Sequence, residues 1–390
     1  MWQHGVLGIF VVRGQEMTRL SWGLGVRLWV TALLCVIAAP TLQAAEIKNL
    51  YQARVMVPDQ GRESRAQAFS QALAQVVIKV TGQIDAPARE GVRIAMQKPD
   101  VLVSRYDYRK INAGDSDQAN RQPGFMLDVS FNRVAVNKLL HDNRLPLWGD
   151  NRPETLIWVA SEEHGGRQML GAESPSTVVT ALQNASDQWG VPLLYPLLDV
   201  EDSLSLSMAE LWGLFPAPVV QASGRYGVDP VLAMRVYSSG PGKVSGRVMF
   251  TFRGQVFNED INDVTMDMFT SRALSLVASR LAAFYAILSD GSSEYPLRLQ
   301  VNAVNDVHDY AGLLRYLENL TAVRTVMPVR VKGDTLTLDL VIDGSPEQVD
   351  AEISLDRNLA RAYPAWPATP QEPSMVEPIR RPDLYYVWQK

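Results

Sequence analysis

Apolar and polar positions alternate with period two at Tyr51, Ala53, Val55 and Val57, which predicts a strand over residues 51–57. Phe69, Leu73, Val76, Val77 and Val80 then recur at helical spacing. Gly82 is the expected stop, because glycine enters the left-handed cap conformation without steric cost. Residues 101–109 read as a second strand. Phe125, Leu127, Val129 and Phe131 mark a half-buried third, and residues 133–142 read as a helix. This first unit is β-α-β-β-α and ends near Trp148-Gly149-Asp150.

The pattern then changes. Leu156-Ile157-Trp158-Val159 is a continuous apolar run, as for a strand covered on both faces. Ser174-Pro175 reads as an N-cap with proline at the first helical position. Val178, Leu182, Ala185 and Trp189 mark that helix, which Gly190 ends. Leu193 to Leu198 reads as a second apolar strand, parallel to the first because a helix intervenes. Short helices are expected around 205–213 and 217–226. Alternation at Leu232, Met234 and Val236 and at Val248, Phe250 and Phe252 predicts two strands joined by a hairpin turn. A long helix carries Leu274, Val277, Leu281, Tyr285 and Leu288.

A second β-α-β-β-α series follows. It comprises a strand over 296–303, a helix capped by Asp306, strands over 322–331 and 335–342 around Lys332-Gly333-Asp334, and a helix opened by Ser345-Pro346 with Gln348 placed for a capping box. The expected fold is α/β (α+β). Two small β-α-β-β-α modules, residues 45–150 and 291–357, flank a central α/β domain, residues 151–290, with a mixed sheet. In residues 358–390, Pro364, Pro367, Pro370 and Pro373 recur every third position, a polyproline II signal, and Tyr385, Tyr386 and Trp388 stand near the end. Two readings of these aromatics are open: they fold back onto their own domain, or they bind a partner.

Residues 1–44 read as a secretory signal peptide. Arg19 and Arg27 precede the apolar run Leu28–Ala39, Pro40 breaks it, and Leu42-Gln43-Ala44 supplies a small-residue cleavage site, with a cut after Ala44. The run is too short for a bilayer span of about 20 helical residues. Met17 is a second candidate start beside Met1. The lone cysteine, Cys35, lies inside the run behind Leu34, which does not fit a lipid-attachment site. The mature chain would hold no thiol and no disulfide. The expected location is the periplasm.

Composition adds limits. The 390 residues are 47% hydrophobic and 20% charged with net charge −5, which is globular and not disordered. Residues 45–152 hold 16 Lys/Arg against 12 Asp/Glu, whereas residues 153–390 hold 18 against 29. Neither balance is that of a nucleic-acid binder. Arg105-Tyr106-Asp107-Tyr108-Arg109-Lys110 mixes aromatics with charge, and reads as an edge strand whose charges discourage further pairing.

The chain holds no recognised catalytic motif. Gly240-Pro241-Gly242-Lys243 lacks the Ser/Thr of a phosphate loop and reads as a hairpin turn. His141 and His308 stand alone. One constellation suits chemistry. Glu162, Glu163 and His164 follow the first central strand, and Asp199, Glu201 and Asp202 follow the second. Parallel pairing would open both loops at the carboxyl ends of the strands, where oxygen-rich clusters suit hard cations and paired carboxylates suit acid–base work. No cofactor motif accompanies them.

Three stretches carry a resemblance: Leu73-Ala74-Gln75-Val76-Val77-Ile78-Lys79-Val80-Thr81-Gly82, Val191-Pro192-Leu193-Leu194-Tyr195-Pro196-Leu197-Leu198-Asp199 and Ala222-Ser223-Gly224-Arg225-Tyr226-Gly227-Val228-Asp229. Through them, most of residues 45–356 resembles an uncharacterised family of exported proteins from Gram-negative bacteria, defined by a domain of unknown function. The middle unit also resembles the small α/β domain of periplasmic accessory proteins, among them the N-terminal domain of the Tol-system beta-propeller protein. That resemblance transfers no catalytic residue and implies protein–protein roles. The expected function is a non-enzymatic accessory or interaction module with an envelope protein as partner, acting through exposed sheet edges and the tail. The alternative is a cation-dependent hydrolase or glycan-binding protein using the acidic loops.

Overall fold

The computed structural model describes residues 45–46, 49–110, 124–163, 165–288, 296–363 and 381–389. The polyproline stretch and the leader lie outside these residues. The described chain is α+β, with helices throughout and parallel pairs mixed into the second and third main sheets.

The first part runs β1 (Ala45–Glu46), β2 (Gln52–Val57), α1 (Arg62–Thr81), α2 (Glu90–Ala95), β3 (Val103–Lys110), β4 (Phe125–Phe131), α3 (Arg133–Asp142) and β5 (Asn151–Arg152). β1 and β5 pair with each other, and the main sheet has the order β2-β4-β3, all antiparallel. Val55, Val57, Leu127 and Val129 on its inner face meet Phe69, Leu73, Val76 and Val80 of α1 in one core. Gly82 ends α1 with φ 67°. A side chain there would strike Ala282, so the turn needs glycine for both conformation and space. β3 is an edge, as its charges imply.

The middle part runs β6 (Thr155–Glu163), β7 (Gly166–Leu170), α4 (Thr177–Trp189), β8 (Leu193–Leu194), α5 (Val200–Ser205), α6 (Met208–Gly213), α7 (Pro216–Ser223), β9 (Val231–Gly240), β10 (Lys243–Phe252), β11 (Gln255–Val264) and α8 (Met266–Tyr285). The sheet order is β11-β10-β9-β6-β7, with β8 also on β6. β6 is parallel to β8 and β9, and the other pairs are antiparallel. Alternate residues of β6 serve two cores. Ile157 and Val159 face α4 and α8, while Leu156, Trp158 and Ala160 face the layer of α6 and α7. This is why the run is apolar at every position.

Several expectations shift here. The cap of α4 is Ser176, whose hydroxyl accepts from the Val178 N–H at 3.1 Å, so Ser174-Pro175 lies before the helix. The strand expected over 193–198 ends at Leu194, because Pro196 has no N–H to donate and Leu198 adopts φ 54°. β7 and β11 were not expected. β11 is an edge strand, mostly exposed and rich in Asn, Asp and Glu, so it lacks the alternation that marks a half-buried strand.

The last part runs β12 (Leu297–Asn302), α9 (Val307–Asn319), β13 (Val323–Lys332), β14 (Thr335–Ile342), α10 (Pro346–Ile353), β15 (Leu359–Arg361) and β16 (Leu384–Trp388). The order is β13-β14-β12-β16-β15. Its first three strands repeat the order of the first sheet, with the third strand central. The Asp306 cap and the Ser345–Gln348 capping box form as their spacing implies.

Arg152 joins the first and middle parts. It is fully buried, and its five N–H groups meet five backbone carbonyls: Gly149 (2.8 Å), Trp148 (2.9 Å), Lys79 (2.8 Å), Trp189 (3.3 Å) and Gly190 (2.7 Å). Three of these belong to the C-terminal ends of α1 and α4, where orphan carbonyls carry the negative end of the helix dipole. The guanidinium also stacks on Trp148, 3.7 Å from the ring centre.

Candidate functional site

The acidic loops fall into two sets. Glu162 lies in β6, and Arg167 of β7 is 3.8 Å away. Glu163 closes β6 opposite Gly166, and His164 lies outside the described residues. Asp199, Glu201 and Asp202 surround Arg225. Its Nη1 donates to Asp199 Oδ1 (2.7 Å) and Asp202 Oδ1 (3.0 Å), its Nη2 donates to Asp199 Oδ2 (3.0 Å), and Glu201 stands at 3.5 Å. Among the described residues no three His, Cys, Asp or Glu side chains gather as they would around a metal ion.

This second set is a clamp. Asp199 caps α5 by accepting from the Asp202 N–H at 2.9 Å. Asp202 is 1% exposed. Its Oδ2 accepts from the Tyr226 hydroxyl (2.6 Å) and the Leu198 N–H (2.8 Å), and the same hydroxyl accepts from the Leu197 N–H (2.9 Å). The Arg225 hydrogen bonds, followed by the capped N–H of Asp202, hold the Asp199 carboxyl down to about 2. Burial, followed by the bond to Asp202, pushes Tyr226 up to about 12. Behind the clamp, Tyr226 meets Trp158 edge-on, and the Trp158 N–H donates to Ser223.

The clamp fixes a loop in a costly conformation. Leu198 is left-handed at φ 54°, and outside the clamp Leu214, at the end of α6, is left-handed at φ 51°. Each costs about 1–3 kcal/mol for a branched side chain. With the loop held so, Leu197, Val200 and Leu204 point to solvent, 71%, 76% and 83% exposed. Val200 and Leu204 are four residues apart and share one face of α5. The neighbouring α7, which packs on α5, adds exposed Val220, and Phe215 stands exposed at its start. Isolated exposed leucines are ordinary; here five exposed apolar side chains stand on two adjoining short helices and the residues that lead into them.

The aromatic end is part of the third sheet. β16 pairs in parallel with β12, Leu299 opposite Leu384 and Val301 opposite Tyr386. Tyr386 is buried in the core, and its hydroxyl donates to Asp350 of α10. Trp388 packs on the same core beside Tyr316. Tyr385 faces the other way, into a polar recess of about 550 Å³ with Gln300, Asn302, Thr335 and Tyr363. Of the two readings, the structure takes the fold-back. The aromatics expected to meet a partner are mostly committed within the chain, because β12, a parallel strand that ends 82 residues earlier, and the core behind it supply their pocket.

Sequence reasoning missed Arg225 as the partner of the acidic loop, although the residue stood in a quoted stretch. An Asp-rich loop and an arginine 23 residues later carry no local signal of contact.

Residues 44–149 match a family described as "Domain of unknown function (DUF8605)", a span that covers the first sheet and its helices. No curated protein and no solved structure matches the chain.

Proposed function

We propose that this chain is a non-enzymatic interaction module of the Gram-negative cell envelope, exported to the periplasm after cleavage at Ala44. The observation that carries the reading is the ridge of Leu197, Val200 and Leu204, held outward by the Arg225–Asp202–Tyr226 clamp. Rigid presentation lowers the ordering cost of binding. Burying the three side chains would contribute about 5 kcal/mol before that cost. Asp199 and Glu201 rim the ridge, and residues 153–390 are acidic overall. The partner that fits is an envelope protein presenting an apolar segment with basic flanks. Among the described residues no helix is long and apolar enough to cross a membrane. The acidic loop supports cation chemistry less well, since an arginine already occupies its centre.

The test compares the parent with the L197S/V200S/L204S variant, both captured from crosslinked envelope fractions. The expected result is loss of a discrete protein carrying such a segment, at an unchanged folding midpoint. An identical capture pattern, or recovery of the parent from the cytosol with residues 1–44 intact, would overturn the reading.

A further inference from the structure

On the opposite face of the central sheet from the ridge, a groove of about 630 Å³ lies between the outer face of the first sheet and α4. Its walls carry the carboxamides of Gln52, Gln75, Asn184 and Gln188, and Met56 and Met126 add apolar surface. Lys79 lines it and is 6% exposed. Its Nζ donates to the carbonyls of Gln52 (3.0 Å) and Asn49 (3.4 Å). Arg54 also lines the groove, and the groove's carboxylates face arginines rather than Lys79. Asp128 accepts from Arg54 (3.0 Å) and Arg109 (2.6 Å), and Asp187 lies 3.9 Å from Arg54. Directly behind Lys79 is Arg152, which donates to the Lys79 carbonyl at 2.8 Å, and a side chain at Gly190 would strike the Arg152 guanidinium and the Lys79 stem. Two buried cations therefore adjoin, and among the described residues neither has a carboxylate in ion-pair contact.

A charge kept out of water without an ion-pair partner is costly, and two carbonyl acceptors offset that cost only in part. Asp187 acts on Lys79 only from beyond ion-pair distance, so beside an open, amide-lined groove a closer counter-charge has a natural source in a ligand. We infer that the groove binds a carboxylate-bearing ligand, a peptide end or acidic side chain, with Lys79 as the cation that reads it and the carboxamides bonding the adjoining amide groups. Burial brings the Lys79 ammonium down to about 8, opposed by Asp187 and reinforced by Arg152 and Arg54. Binding therefore weakens as pH rises past that value.

The experiment titrates the full chain with N-acetyl-L-glutamate, and with trialanine bearing a free or an amidated C-terminus, by calorimetry. In parallel, amine acylation of Lys79 is followed by peptide mapping. The expected result is saturable binding at neutral pH, weakened about tenfold or more in K79M and at about pH 9.5, with Lys79 protected by ligand. Loss with both trialanines but not N-acetyl-glutamate assigns the site to acidic side chains, and binding of the free but not the amidated peptide assigns it to chain ends. K79M is expected to melt within a few degrees of the parent. If K79M fails to fold, the pH and protection arms decide alone. No binding of any carboxylate, or K79M binding equal to the parent's, overturns the inference.

Discussion

Arg152 satisfies all five of its donors with backbone carbonyls, so its removal strips partners from the ends of two helices at once. R152M is expected to cost about 3–5 kcal/mol in urea denaturation, and R152K somewhat less, because an ammonium has three donors and no plane to stack on Trp148. A loss below about 1 kcal/mol would show that water replaces the guanidinium. Lys79 behaves oppositely. Its folded-state value of about 8 lies below the ordinary 10.5, so between these the unfolded chain binds more protons. Stability therefore rises with pH across that window, by about 3 kcal/mol. Subtracting the K79M profile isolates this rise; its absence would mean that Lys79 is well solvated. Asp199, held at about 2 against 3.8, works at the acid end. Its support for the clamp is complete above its ordinary value and fades as pH falls toward 2, a dependence that D199N should lack.

Among the elements, the edge strands are built against pairing. β13 carries Pro328, a bulge at Val329, and Arg330 and Lys332. β11 has a register shift near left-handed Asp263, and β3 carries Arg105, Asp107, Arg109 and Lys110. These devices blunt a sheet edge, so exposed edges, one of the surfaces expected to carry function, serve it poorly. Replacing Pro328 by Thr and deleting Val329 should give larger species in light scattering; an unchanged size would mean that the edge is protected otherwise. Local signals were legible: the alternation at Phe125–Phe131, the Gly82 stop and the Asp306 and Ser345 caps each depend on residues within a few positions. The strand at Leu384–Trp388 was not, because its partner lies far back in the chain and Tyr386 needs Asp350 of another element. Periodicity also gives a helix its apolar stripe without saying whether that stripe is covered. Val200 and Leu204 are the case in point.

For the whole molecule, three main sheets, the central one with a core on each face, frame two exposed features, the apolar ridge on one side of the central sheet and the cation-floored groove on the other. The candidate site was half visible in the sequence. Asp199, Glu201 and Asp202 were singled out for their chemistry, but three carboxylates around Arg225 make a structural clamp, and what they support is the ridge above them. The most direct measurement is site-specific photocrosslinking from Leu204, in cells, with equally exposed Val307 as the comparison position. A discrete adduct from Leu204 alone, whose crosslinked peptide is apolar with basic flanks, is the predicted result. Equal labelling from both positions, lipid adducts only, or a crosslink to a second copy of the chain would contradict it.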